Sequence, residues 1–182
     1  MKEIFATLNE VGFDFREQYE NVELVVYSLL AFAIPFVFPQ PQLLTGSVVN
    51  AFLILAAMRL RGWKVLPIVL LPSTAAFLNG MVFGPLTIFL LYLMPAIWLG
   101  NFLLVYLFKT LNIEKKMNYW ATLGIATIAK AALIFAGTLL LLNFGIIPAA
   151  LLTAMGILQI ATALIGGVGA FAIMKGYGYL LK

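Results

Sequence analysis

The chain has 182 residues, 64% of them hydrophobic and only 10% charged, with a formal net charge of +4 and neither cysteine nor histidine. Soluble domains carry about 25% charged residues, so this composition excludes a water-soluble fold. The missing cysteines exclude disulfides, haem attachment and thiolate metal sites.

In chain order, residues 1–21 form a first unit. Ile4, Phe5, Leu8, Val11, Phe15 and Tyr19 recur at spacings of three and four, which predicts a helix over residues 3–20 with one apolar stripe; Phe13 falls off it. The other face is acidic, with Glu3, Glu10, Asp14, Glu17 and Glu20, whereas helices that bind anionic lipid carry Lys and Arg there. Two readings remain: an amphipathic helix lying at the cytoplasmic interface and covering the rest, or a docking surface for another subunit. The segment is too polar for a signal peptide.

Residues 22–182 form a membrane domain. Between Leu24 and Met174 the sole acidic residue is Glu114, and the apolar residues fall into six blocks, near 22–38, 44–60, 65–82, 86–108, 118–142 and 148–174. Each is long enough to cross a hydrocarbon core of ~30 Å, which takes about 20 helical residues. A β-barrel would show short alternating segments instead, so the expected fold is an all-α bundle of six transmembrane helices.

Loops rich in Lys and Arg stay in the cytoplasm. Arg59, Arg61 and Lys64 follow the second block, Lys109, Lys115 and Lys116 the fourth, while Lys2 and Arg16 precede the first and Lys175 and Lys182 end the chain. With six spans these ten of eleven basic residues share one face, and the three opposite connections carry no charge. Both termini are therefore expected inside the plasma membrane. Basic residues spread over juxtamembrane loops serve insertion, and no nucleic-acid partner is expected.

An ionisable residue in mid-bilayer costs at least ~2.5–3.5 kcal/mol on insertion scales and is a functional candidate by default. Lys130 is such a residue, twelve positions from either end of the fifth block, with Thr127, Ile134, Gly137 and Thr138 near its helical face. It reads as a counter-ion for a carboxylate or phosphate, or as a lysine that reaches a rim or pairs structurally. A second polar concentration, Gln40, Gln42, Thr45, Ser47 and Asn50, follows the first block; Gly46 there permits close backbone approach. Thr45 or Ser47 would alternatively cap the second span.

Asn79, Tyr92, Trp98, Asn101, Asn143 and Gln159 are further polar or aromatic positions, while Tyr119 and Trp120 read as interfacial anchors. The sixth block holds Gly156, Gly166, Gly167 and Gly169, suited to close helix packing in the bundle or against another subunit. Pro35, Pro72 and Pro95 bend their spans and can open space. A proton relay, a catalytic metal site and a phosphate-binding loop all lack their residues, so proton-coupled transport, catalysis and nucleotide hydrolysis are not expected, nor is a cofactor.

About 180 residues, six spans, an amphipathic start and a polar outer loop in Gln42-Leu43-Leu44-Thr45-Gly46-Ser47-Val48-Val49-Asn50 together resemble the substrate-binding S component of energy-coupling factor (ECF) vitamin transporters. The resemblance implies high-affinity capture of a vitamin or related small nutrient near the outer face. It also implies reorientation by a transmembrane coupling subunit driven by two cytoplasmic ATPase subunits. By resemblance the pocket draws on Gln42, Thr45 and Asn50 as hydrogen-bonding groups, with Asn79, Asn143 and Gln159 as further polar contacts. Lys130 is then the counter-ion, and Tyr92 and Trp98 stack on a ring. The first span departs from the family's Ala-xxx-Ala pair, offering Ser28, Ala31 and Ala33. A passive channel or facilitator and a structural subunit of a larger complex are the other classes the sequence admits.

Overall fold

The computed structural model describes residues 2–11 and 17–180. Among these residues the chain is helical throughout, without strands. Helix α1 (Lys2–Asn9) is followed by α2 (Glu17–Val37), α3 (Gln42–Arg59), α4 (Leu66–Asn79), α5 (Leu90–Leu107), α6 (Tyr119–Asn143), α7 (Leu151–Met155) and α8 (Ile157–Leu180). Short 3-10 turns lead into α4 (Gly62–Val65) and α5 (Gly84–Phe89), and α5 continues into a π-helical turn at Phe108–Glu114. Among the described residues five segments are long and apolar enough to cross a membrane: Tyr19–Val37, Gln42–Arg59, Gly84–Glu114, Tyr119–Asn143 and Leu151–Gly176.

Two expectations change in detail. The helix expected over 3–20 corresponds to α1 and the first turn of α2; residues 12–16 between them lie outside the described part. From Glu17 the backbone runs unbroken into α2, through the boundary expected at residue 21. The third block yields only the 14-residue α4. Pro67 at its first turn suits a helix start, and Gly80, left-handed at φ 78°, ends it after Asn79, because residues with a Cβ resist that conformation.

The bundle wears its apolar side chains outward. Leu29, Ile128 and Ile157 are each more than 60% exposed, while Asn50, Thr122, Lys130 and Thr138 are buried. That inversion suits hydrocarbon, where backbone groups are satisfied within helices and polar side chains seek one another. Helix α3 packs against α8, α5 against α6, and α2 against α4.

Glycine sets the closest approaches. A Cβ on Gly166 of α8 would lie 2.4 Å from the Ser47 carbonyl oxygen and 2.7 Å from the Asn50 Cβ of α3, and one on Gly46 would lie 2.8 Å from Thr162 Cγ2. Two apolar clusters flank this seam. One gathers Leu53, Ile54, Leu60, Ile68, Leu104 and Phe108 towards the basic loops. The other gathers Val82, Leu90, Leu93, Ile134, Ile147 and Met155 towards the uncharged connections.

At the basic end the acidic residues near the N-terminus meet the loop between α3 and α4. Glu23 pairs with Arg59, and Glu20 accepts from the Arg61 backbone N–H at 2.6 Å and lies 3.3 Å from Lys64 Nζ. Helix α1 packs on the 3-10 turn at Gly62–Val65 and on the π turn. Lys109, fully buried, donates from Nζ to the carbonyls of Glu10 (2.5 Å) and Leu60 (2.8 Å). Of the acidic face read from the sequence, Glu20 is thus paired within the chain, and Glu10 contributes its backbone carbonyl.

Candidate functional site

A cavity of about 100 Å³ lies inside the bundle at the end formed by the uncharged connections. It is framed there by Pro39, Gln42, Val82 and Phe83. Two hydrogen bonds hold that frame: the Gln40 side-chain N–H donates to the Val82 carbonyl, and Asn79 Nδ2 donates to the Phe36 carbonyl at 2.6 Å. Pro35 and Pro72, the kink residues of α2 and α4, both line the cavity. A proline removes one helical N–H and pushes its ring against the preceding turn, which bends a helix.

The inner wall is polar and organised by Asn50. Lys130 Nζ, on a side chain 1% exposed, donates to Asn50 Oδ1 at 2.5 Å. Asn50 Nδ2 donates in turn to the Gly46 carbonyl at 2.8 Å and to Thr162 Oγ1 at 3.2 Å. Thr162 Oγ1 donates back to the Gln159 carbonyl at 3.3 Å. Three helices, α3, α6 and α8, therefore share one network, and Gly46 and Gly166 bring α3 and α8 close enough to build it.

Around this network the wall is mostly apolar, including Val49, Ile97, Met155 and Leu158. Among the described residues no carboxylate lines the cavity, and Lys130 is the one ionisable side chain on its wall. Among the described residues the Asn50 oxygen is the only hydrogen-bond acceptor of Lys130. An ammonium has three donors, so two are left over.

Of the residues singled out from the sequence, Gln42, Thr45, Asn50, Lys130 and Gln159 line this cavity together. Thr45 is committed elsewhere, donating to the Phe38 carbonyl at 2.6 Å. It does not cap α3, whose first turn follows Pro41 without a side-chain cap, and Ser47 likewise donates back to the Leu43 carbonyl at 2.6 Å. The side-chain amides of Gln42 and Gln159 make no hydrogen bond among the described residues.

The other four stand outside the cavity wall. Asn79 braces the rim through Phe36 and also accepts from the Met81 N–H at 3.1 Å. Tyr92 is 52% exposed on the outer surface of α5. Trp98 donates its indole N–H to Ser73 Oγ at 2.8 Å and to the Leu70 carbonyl at 3.2 Å, fastening α5 to α4 and fixing a hydroxyl that does line the cavity. Asn143, exposed at the end of α6, borders a shallow surface hollow with Leu139, Leu140 and Phe144. An outward or inward direction on a helix follows from its neighbours, and a single sequence does not name them.

Sequence reasoning left three polar side chains of the cavity off the site, Ser73, Asn101 and Thr162. Asn101, buried and donating to the Val69 carbonyl at 3.1 Å, carried a signal as an amide in an apolar span. Ser73 and Thr162 carried none, since small hydroxyl residues are common in membrane helices for packing alone.

Tyr119 and Trp120, expected as interfacial anchors, form an aromatic cluster with Phe171 at the basic end, and the Tyr119 hydroxyl donates to the Gly167 carbonyl at 2.6 Å. No family model, curated protein or solved structure matches the chain.

Proposed function

We propose that the chain is the membrane-embedded substrate-binding subunit of an ECF-type importer for a vitamin or related small nutrient. The observation that carries this reading is the cavity itself, lined by residues of the uncharged connections and by a buried lysine, with the apolar cluster around Leu53 and Leu104 lying towards the basic loops. A local cavity of this kind suits capture of a solute, whereas a channel or facilitator needs a polar path that continues. The chain has no phosphate-binding loop and no catalytic cluster, so movement of substrate draws energy from a transmembrane coupling subunit and two cytoplasmic ATPases.

In this reading α4, the third span in chain order, adds to the five longer segments to make six. Together with its 3-10 turn it extends about 29 Å at 1.5 and 2.0 Å per residue, close to the ~30 Å hydrocarbon thickness. Six spans put both termini on the basic side, which is the cytoplasmic one by the positive-inside rule, and the cavity then faces outward in the plasma membrane. Helix α1 lies across the inner face at the interface.

The test is to purify the protein in detergent from cells grown in rich medium, denature it, and identify released small molecules by mass spectrometry. A nutrient-like compound near one per chain is the expected result. A protein that stays empty, and whose thermal unfolding no nutrient shifts, overturns the reading in favour of a structural subunit or a passive facilitator.

A further inference from the structure

Resting on the reading of the cavity as a ligand site, we infer that its ligand is a small monocarboxylate with an apolar body, its carboxylate seated on Lys130. The inference comes from counting charges and donors. Lys130 is buried, and among the described residues its ammonium gives one hydrogen bond, to Asn50 Oδ1, and no acidic side chain lines the cavity. A buried charge is tolerated when it is paired and its hydrogen bonds are made. The two remaining donors and the single positive charge match the two oxygens and single negative charge of a carboxylate.

Asn50 Nδ2 is itself held by two hydrogen bonds, so the lysine head has a fixed neighbour. The same count rejects other classes. A phosphate monoester carries close to two negative charges at neutral pH and finds one cation here. A zwitterion or an organic cation brings an ammonium for which the wall offers no carboxylate. The apolar wall around Val49, Ile97 and Leu158 favours a hydrocarbon or ring body. The uncommitted amides of Gln42 and Gln159 suit neutral polar groups on the rest of the ligand.

The experiment uses the full chain in detergent and reads thermal stabilisation and calorimetric affinity for benzoate, cyclohexanecarboxylate and hexanoate. Their primary amides, phenyl phosphate and phenylalanine serve as comparisons. At least one carboxylate is expected to stabilise the protein and its amide not to. Lys130→Met is expected to weaken that carboxylate about 10- to 100-fold, the loss of a charged hydrogen-bonded contact. Asn50→Asp, which supplies an internal carboxylate beside Nζ, is expected to displace it similarly while the protein stays folded.

Equal binding of acid and amide, or tighter binding of phenyl phosphate or phenylalanine, overturns the proposal. So does a natural ligand recovered from the purified protein that is neutral, cationic or phosphorylated; that outcome leaves the binding-subunit reading standing. A recovered monocarboxylate supports the proposal even where the probes bind weakly. No recovered ligand and no response to any probe overturns both.

Discussion

Two buried lysines show how differently the same side chain is used. Lys130 faces a cavity with donors to spare, whereas Lys109 gives its ammonium to two backbone carbonyls, those of Glu10 and of Leu60 at the end of α3. The second arrangement is structural: a cation at the carbonyl end of a helix meets the negative pole of its dipole and satisfies an orphan acceptor. It also ties the segment after α1 to the bundle. Replacing Lys109 with Met should therefore destabilise the protein by about 1.5–3 kcal/mol, the range for hydrogen bonds to charged groups. Proteolysis should become faster within the first 20 residues while ligand affinity at the cavity is unchanged, which thermal unfolding, limited digestion and a binding titration check together. From sequence, Lys109 reads as a loop charge that orients the chain. Its burial depends on a partner 99 positions away, and local pattern carries no information about that.

Among the elements, the α3–α8 seam matters most for the cavity. Small residues in the sixth block signalled a close approach, but their helix has several faces, and only packing distinguishes them. Gly166 touches the α3 backbone and Gly167 abuts Leu123 of α6, whereas nothing lies within 4 Å of a Cβ placed on Gly169. Gly166→Ala should then cost about 1–3 kcal/mol or more, because the obstructing atom is a backbone oxygen that cannot swing away. It should also loosen the Asn50–Lys130 network and weaken any bound ligand. Gly169→Ala should be neutral or slightly stabilising, since alanine favours helix and meets no neighbour. Thermal unfolding of the two variants side by side checks the contrast. Helix α4 teaches a related lesson: hydropathy extended the third span to residue 82, whereas Gly80 stops the helix at Asn79, a turn preference that hydropathy averages away.

At the scale of the whole molecule, the proposed orientation is directly measurable because the chain has no cysteine to interfere. A cysteine placed at Lys116, in the basic loop, should react with an impermeant maleimide only after cells are opened, and one at the exposed Phe144 should react in intact cells. The reverse pattern would invert the topology and put the cavity mouth inside. The all-helical character and the presence of several membrane-length apolar helices were legible without coordinates, because a bilayer imposes one length and one polarity on every segment that crosses it. That Gln42, Thr45, Asn50, Lys130 and Gln159 belong on one wall, and that Asn79, Tyr92, Trp98 and Asn143 do not, was decided by tertiary structure. The sequence by itself determined which residues are too polar to be idle in hydrocarbon, since the cost of burying a charge or an amide is a property of the residue. Only the packing of α3, α6 and α8 decided which of those residues meet, since a helix presents its side chains in every direction and the neighbour that receives each one is set by contacts far apart in the chain.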